Sequence, residues 1–152
     1  MKFSVSKIPL LLCALLSLLI GACTPALQQE VSPDPLATSS ANLGIEIVGL
    51  HLSSGDYMLD FRYKVIDAAK AAPLIDHALI PYLLHENTGA RFAVPAPTKV
   101  GPMRQMPRQL EEGRQYFIFF ANPGKYVKRG DYVTIIHGPF RLDHLKVELT
   151  HA

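Results

Sequence analysis

Tyr57-Met58-Leu59-Asp60-Phe61-Arg62-Tyr63-Lys64-Val65 alternates side-chain character at every step after its first two residues. Tyr57, Leu59, Phe61, Tyr63 and Val65 fall on one parity; Met58, Asp60, Arg62 and Lys64 fall on the other. Successive side chains leave a strand on opposite sides, so this pattern reads as a β-strand with one buried and one wet face. A slip of one residue would expose the whole apolar set, which fixes the pairing register.

Outward from this strand, the pattern repeats with interruptions. Ile45 and Ile47 share one parity while Leu50 and Leu52 share the other, so a bulge near Gly49 is needed to bring all four to one face. Ser53-Ser54-Gly55-Asp56 has the composition of a turn. Asp67 reads as the N-cap of a short helical piece over residues 67–72, ended by Pro73. Residues 80–86 and 90–94 flank Asn87-Thr88-Gly89 and predict a hairpin. Residues 116–121 form a nearly continuous apolar run, as expected of a central strand buried on both faces. Residues 132–137 and 145–149 complete the set. Seven short strands and one helical turn predict a mainly all-β domain, an immunoglobulin-like two-sheet β-sandwich, with a small β-barrel as the alternative.

The chain has 152 residues, 49% hydrophobic and 18% charged, with 12 prolines and 10 glycines, a composition that suits one turn-rich folded domain. Lys2 and Lys7 precede every acidic residue; without them basic and acidic residues balance at 13 each. A neutral domain has no global attraction for nucleic acid, whose binding rests on neutralised phosphates.

Those two lysines introduce an apolar stretch over residues 10–20, broken only by Ser17 and followed by small residues, the three-part pattern of a secretory signal. The stretch is well short of the roughly 20 residues a membrane-spanning helix needs. Ile20-Gly21-Ala22-Cys23 resembles the lipobox of bacterial lipoproteins, departing from it in Ile20 where that family usually has Leu. The resemblance implies that residues 1–22 are removed and that Cys23 is lipidated, a covalent lipid being the only prosthetic group expected. With several acyl chains the protein would stay on a membrane. Thr24, where an Asp would signal inner-membrane retention, implies the periplasmic face of the outer membrane in a Gram-negative cell. Cys13 lies in the removed segment, so the mature domain has no thiol for a disulfide and depends on apolar burial. Residues 23–42, with three prolines, read as the lipidated cysteine and a flexible tether reaching about 25 Å. Residues 43–152 are then the domain.

This domain is similar to a loose set of bacterial envelope lipoproteins without an assigned activity. The similarity runs through Lys99-Val-Gly-Pro-Met-Arg-Gln, Gly113-Arg-Gln-Tyr-Phe-Ile-Phe-Phe-Ala-Asn-Pro-Gly-Lys and Lys128-Arg-Gly-Asp-Tyr-Val-Thr. It implies compartment and single-domain organisation and supplies no site.

No serine follows Ser54, and no G-x-S-x-G surrounds Ser53 or Ser54, so a serine triad is not expected. Asp60 reads as a strand-surface residue beside Arg62, and Glu111-Glu112 as a solvated loop pair. Six histidines with Met58, Met103 and Met106 offer imidazole and thioether ligands, but no H-x-H or H-E-x-x-H spacing is present. A copper or zinc carrier built on His51, His137 and His144 is the alternative function. The more prominent feature is a segment without acids between Glu86 and Glu111, where Arg91, Lys99, Arg104 and Arg108 interleave with Pro95, Pro97, Pro102 and Pro107. These cations are the candidate contacts for an anionic envelope component or a protein partner. The expected function is a non-enzymatic binding or structural module held at the membrane.

Overall fold

The computed structural model describes residues 35–149. The alternating segment forms strand β2 (Met58–Val65), and Leu59, Phe61, Tyr63 and Val65 are each at most 1% exposed. Burial of such side chains contributes about 1.5–3 kcal/mol apiece, the main term in a domain without disulfides. Strand β1 (Ile45–Ser53) pairs antiparallel with β2, and the register shifts between Ile47 and Gly49. Val48 is the extra residue, and Ile45, Leu50 and Leu52 consequently share the buried face, with Ile47 packed partly against it.

Strand β3 (Tyr82–His85) and β4 (Arg91–Ala93) form the expected hairpin. Gly89 turns it at φ +69° and donates its N–H to the His85 carbonyl at 2.8 Å. Strands β5 (Gln115–Ala121), β6 (Tyr132–His137), β7 (Phe140–Lys146) and the two-residue β8 (Glu148–Leu149) follow. One sheet has the order β5-β2-β1, extended by β8 lying parallel to β1; the other has the order β4-β3-β6-β7. The chain crosses between sheets after β2, β4, β5 and β7, giving an immunoglobulin-like sandwich in which the fourth strand sits beside the third. No ladder joins β4 to β5 among the described residues, so the sheets do not close into a barrel.

Four expectations are corrected. Residues 116–121 belong to an edge strand, not a central one. Tyr116, Ile118 and Phe120 fill the core, while Phe117 and Phe119 are half-buried with ring centroids 5.0 Å apart. The run can be apolar on both faces because the proline-rich segment lies along its edge: Gln105 N–H donates to Phe117 O at 3.1 Å, and Phe119 N–H to Met103 O at 2.9 Å. That cover also hides backbone groups open to pairing with other chains.

The last long strand begins at Phe140, earlier than Leu145, because Gly138-Pro139 makes a tight hairpin with His137 opposite Phe140. A second bulge then shifts the parity of the inward residues from Phe140 and Leu142 to Leu145.

The last eight residues of the expected tether are not a flexible linker. Pro35–Asn42 is a helix, α1, packed against β1 and β7, with Ser40 buried. Proline pre-sets the first helical turn. Gly44, at φ +70°, ends the run where a Cβ would lie 2.5 Å from the Asp67 carbonyl oxygen. Residues 24–34 remain between Cys23 and α1.

Helix α2 (Ala68–Ala71) is capped by Asp67, whose Oδ1 accepts from the N–H groups of Ala69 and Lys70, both at 3.1 Å. Glu112 Oε1 accepts from Ala68 N–H at 3.2 Å. Pro73 does not end the helical path: it sits in the first turn of a 3₁₀ segment, Ala72–Ile75, where its missing N–H is not required.

Candidate functional site

Among the described residues, β1 and β8 meet at His51 opposite Glu148 and Leu52 opposite Leu149. Upstream of that point β1 turns into one sheet and β7 into the other, and a wedge opens between them. The result is a cleft of about 580 Å³ lined by Ile47, Val48, Leu50, Tyr132, His144 and Lys146, with Ser39 of α1 along one side. That volume is in the range of small-ligand sites. Both bulges face it: Val48 is the extra residue of β1, and His144 occupies the bulge of β7 at φ +57°. A left-handed backbone is uncommon for any residue with a Cβ, although histidine is among those found there more often, and it is favoured by local hydrogen bonds.

Here those bonds come from Glu86, at the end of β3. Its Oε1 accepts the His144 N–H at 2.9 Å, and its Oε2 lies 2.9 Å from His144 Nδ1. One carboxylate thus holds both backbone and ring, while the His144 side chain stays 78% exposed. With Nδ1 engaged, Nε2 is the nitrogen offered outward, an acceptor on the neutral ring and a donor on the charged one. On β6, between β3 and β7, the buried Thr134 hydroxyl lies 2.9 Å from Glu86 Oε1 and 3.0 Å from Asp143 Oδ1. It has one proton, so it serves one carboxylate at a time. Arg141 holds Asp143 through Nε at 3.0 Å and Nη2 at 2.8 Å. Burial pushes the Asp143 carboxyl up, but the bonds from Arg141 and Thr134 outweigh it and leave the group below its ordinary value.

The four cations of the proline-rich region do not act as one patch. Arg104 turns inward: Nη1 lies 3.1 Å from His137 Nε2, and Nη2 donates to the Asp76 carbonyl at 3.3 Å. Its guanidinium therefore ties the segment that covers β5 to the end of the sandwich. Arg91 lies over the Tyr82 ring at 5.1 Å. Arg108 flanks a shallow hollow beside α2, and Lys99 is exposed. Cys23 lies outside the described residues.

His51, His137 and His144 each have separate surroundings. His51 is directly opposite Asp60 on β2, with its ring over Gly49. His137 is buried with Arg104 and the Leu79 carbonyl, and His144 is held by Glu86. Among the described residues no group of three or more His, Cys, Asp or Glu side chains is arranged to hold a metal ion. Asp60, expected at the surface, is buried and accepts from Arg62 Nε at 2.9 Å. Ser54 sits exposed in the β1–β2 turn at φ +52°. Glu111 pairs with Arg114 at 2.8 Å.

His137 has a testable electrostatic consequence. Burial holds its imidazole below the ordinary value; the bond to Leu79 raises it and the Arg104 charge lowers it further. A histidine depressed in the folded state stabilises fully above its unfolded value of about 6.5, and that contribution is lost as pH falls through the folded value. The urea midpoint should therefore drop between about pH 7 and pH 5 more steeply in the native sequence than in His137→Gln. Equal pH slopes in the two proteins would contradict this.

Sequence reading singled out His144 but not its partners. Glu86 appeared only as a flank of Asn87-Thr88-Gly89, and neither Thr134 nor Asp143 carries a spacing motif. The signal that existed was a polar residue, Thr134, in the middle of the apolar strand residues 132–137. No protein-family model matches the chain, and neither a curated protein nor a solved structure is significantly similar to it.

Proposed function

We propose that this protein is a lipid-anchored envelope protein whose β-sandwich binds a partner, without catalysis, in the cleft between β1 and β7. The observation that carries the anchor is Ile20-Gly21-Ala22-Cys23 behind a basic and then apolar leader. The acylated Cys23 would keep the domain at the membrane, facing the periplasm if the cell is Gram-negative. The cleft supports the binding half of the reading. It combines apolar surface from Ile47, Val48 and Tyr132 with the polar ends of His144 and Lys146, the mixture that gives affinity and orientation together. Rigidity favours binding too, since Glu86 fixes the imidazole before any ligand arrives.

Photo-crosslinking tests this in the acylated chain within its own envelope. A benzoylphenylalanine in place of Val48 or Tyr132 should give an adduct of one discrete mass, and one in place of Lys70 should not. His144→Ala should reduce the adduct about fivefold, the equivalent of one hydrogen bond. Adducts of equal yield from all three positions, or from none, would overturn the cleft as the binding site.

A further inference from the structure

We infer that the loop Asn122–Asp131 and the β1–β2 turn form a second surface, which docks on anionic phospholipid headgroups and fixes how the anchored domain stands on its membrane. The inference rests on the acyl-anchor reading above and goes beyond it by assigning a face to the bilayer.

Lys125, Lys128 and Arg129 converge on a hollow of about 310 Å³ whose walls include Leu52 and Val127. Asp56 is the one acid lining it. Among the described residues none of the three cations forms a salt bridge. The nearby Asp131 carboxylate is occupied otherwise: it accepts the Lys128 backbone N–H at 2.8 Å and lies 3.3 Å from His85 Nε2. The cations are flanked by Tyr57 and Tyr126, which are 57% and 47% exposed, and Lys125 Nζ stands 5.0 Å over the Tyr57 ring. Cations beside amphipathic aromatic rings match a headgroup region, which offers phosphates next to partly apolar surface. The loop is held in shape by left-handed turns at Gly124, Lys125 and Gly130, and by Asn122, so the charges are presented on a rigid base.

Helix α1 starts toward the same end. Ser39 lines the same cleft as Ile47–Leu50 and α1 packs on β1, while Asn42 leads into Ile45, so α1 runs back along β1 with its first residue directed toward the β1–β2 turn. Fully extended, the 11 residues 24–34 reach at most about 40 Å from Cys23, so the first residue of α1 stays within that distance of the anchor.

The test uses the full acylated protein in two kinds of vesicle, phosphatidylcholine alone and phosphatidylcholine with about 30% phosphatidylglycerol, at low salt. Lysines are acetylated with an amine-reactive ester and quantified by mass spectrometry. On the anionic vesicles Lys125 and Lys128 should react about threefold or more slowly than on neutral ones, while Lys64, Lys70 and Lys99 should not change. Lys128→Glu with Arg129→Glu should restore the Lys125 rate. Equal rates at Lys125 and Lys128 on both vesicles, with the acyl mass present on Cys23, would overturn docking alone. Absence of that mass would overturn the anchor and docking together. Protection reproduced on neutral vesicles by about 10 mM inorganic phosphate would replace the membrane with a free anion and also overturn the inference.

Discussion

Phe61→Ala should lower the free energy of unfolding by about 3–5 kcal/mol, enough to leave a marginally stable domain largely unfolded at moderate temperature. Phe61 is 1% exposed at the centre of β2, directly opposite Leu50 on β1 and Ile118 on β5, with its ring 5.7 Å from that of Tyr63. Truncation removes the transfer free energy of the ring and leaves a cavity that three strands surround, so collapse around it is restricted. Three residues on, Lys64 lies on the opposite face and approaches Glu46 only at 3.9 Å. Lys64→Ala should change stability by no more than about 0.5 kcal/mol. Urea unfolding of both variants checks the register itself, because similar losses would mean that the two faces of β2 have been assigned wrongly.

Asn122→Ala should cost about 3 kcal/mol or more, although it removes only a small polar group. The side chain is fully buried. Its Nδ2 donates to Asp56 O at 2.8 Å and Val127 O at 2.9 Å, and its Oδ1 accepts from Val127 N–H at 2.9 Å. One amide therefore satisfies three backbone groups and joins the β1–β2 turn to the β5–β6 loop. Alanine would leave those groups buried and unpaired, each at a cost of about 1–3 kcal/mol less whatever water can recover. Asn122→Asp keeps the acceptor and loses both donors, so it should be nearly as damaging. A thermal midpoint for Asn122→Ala within about 2 °C of the native value would contradict the account.

These two residues mark how far the fold was legible. Phe61 announced itself because its neighbours alternate over the whole segment, and the parity break between Ile47 and Leu50 called for the bulge that Val48 makes. Asn122 stands in Asn-Pro-Gly, which has the composition of a turn; that its amide closes a buried polar network depends on Asp56, far away in sequence. The misreading of residues 116–121 has the same origin. Edge position cannot be read from an apolar run when a distant proline-rich segment supplies the cover. Helix α1 was missed because Pro-Leu-Ala-Thr-Ser-Ser-Ala-Asn has the composition of a linker and acquires its order from packing on β1 and β7.

The candidate site was legible only in fragments. Arg104 stood out as one of four cations in a stretch free of acids, yet its partners, His137 and the Asp76 carbonyl, are brought to it by tertiary structure and make it a structural tie. His144 stood out as a metal ligand; its contact with Glu86, which orients its imidazole at the mouth of a cleft, was not legible. Spacing along the chain does not report such pairs, since residues 86 and 144 become neighbours only across β6.

The central claim, an acyl-anchored sandwich, is tested most directly by the mass of the N-terminal peptide of the protein purified from its envelope. The account predicts a peptide that begins at residue 23 and carries a diacylglyceryl group and an amide-linked acyl chain. A peptide beginning elsewhere, or one with an unmodified Cys23 thiol, would contradict it.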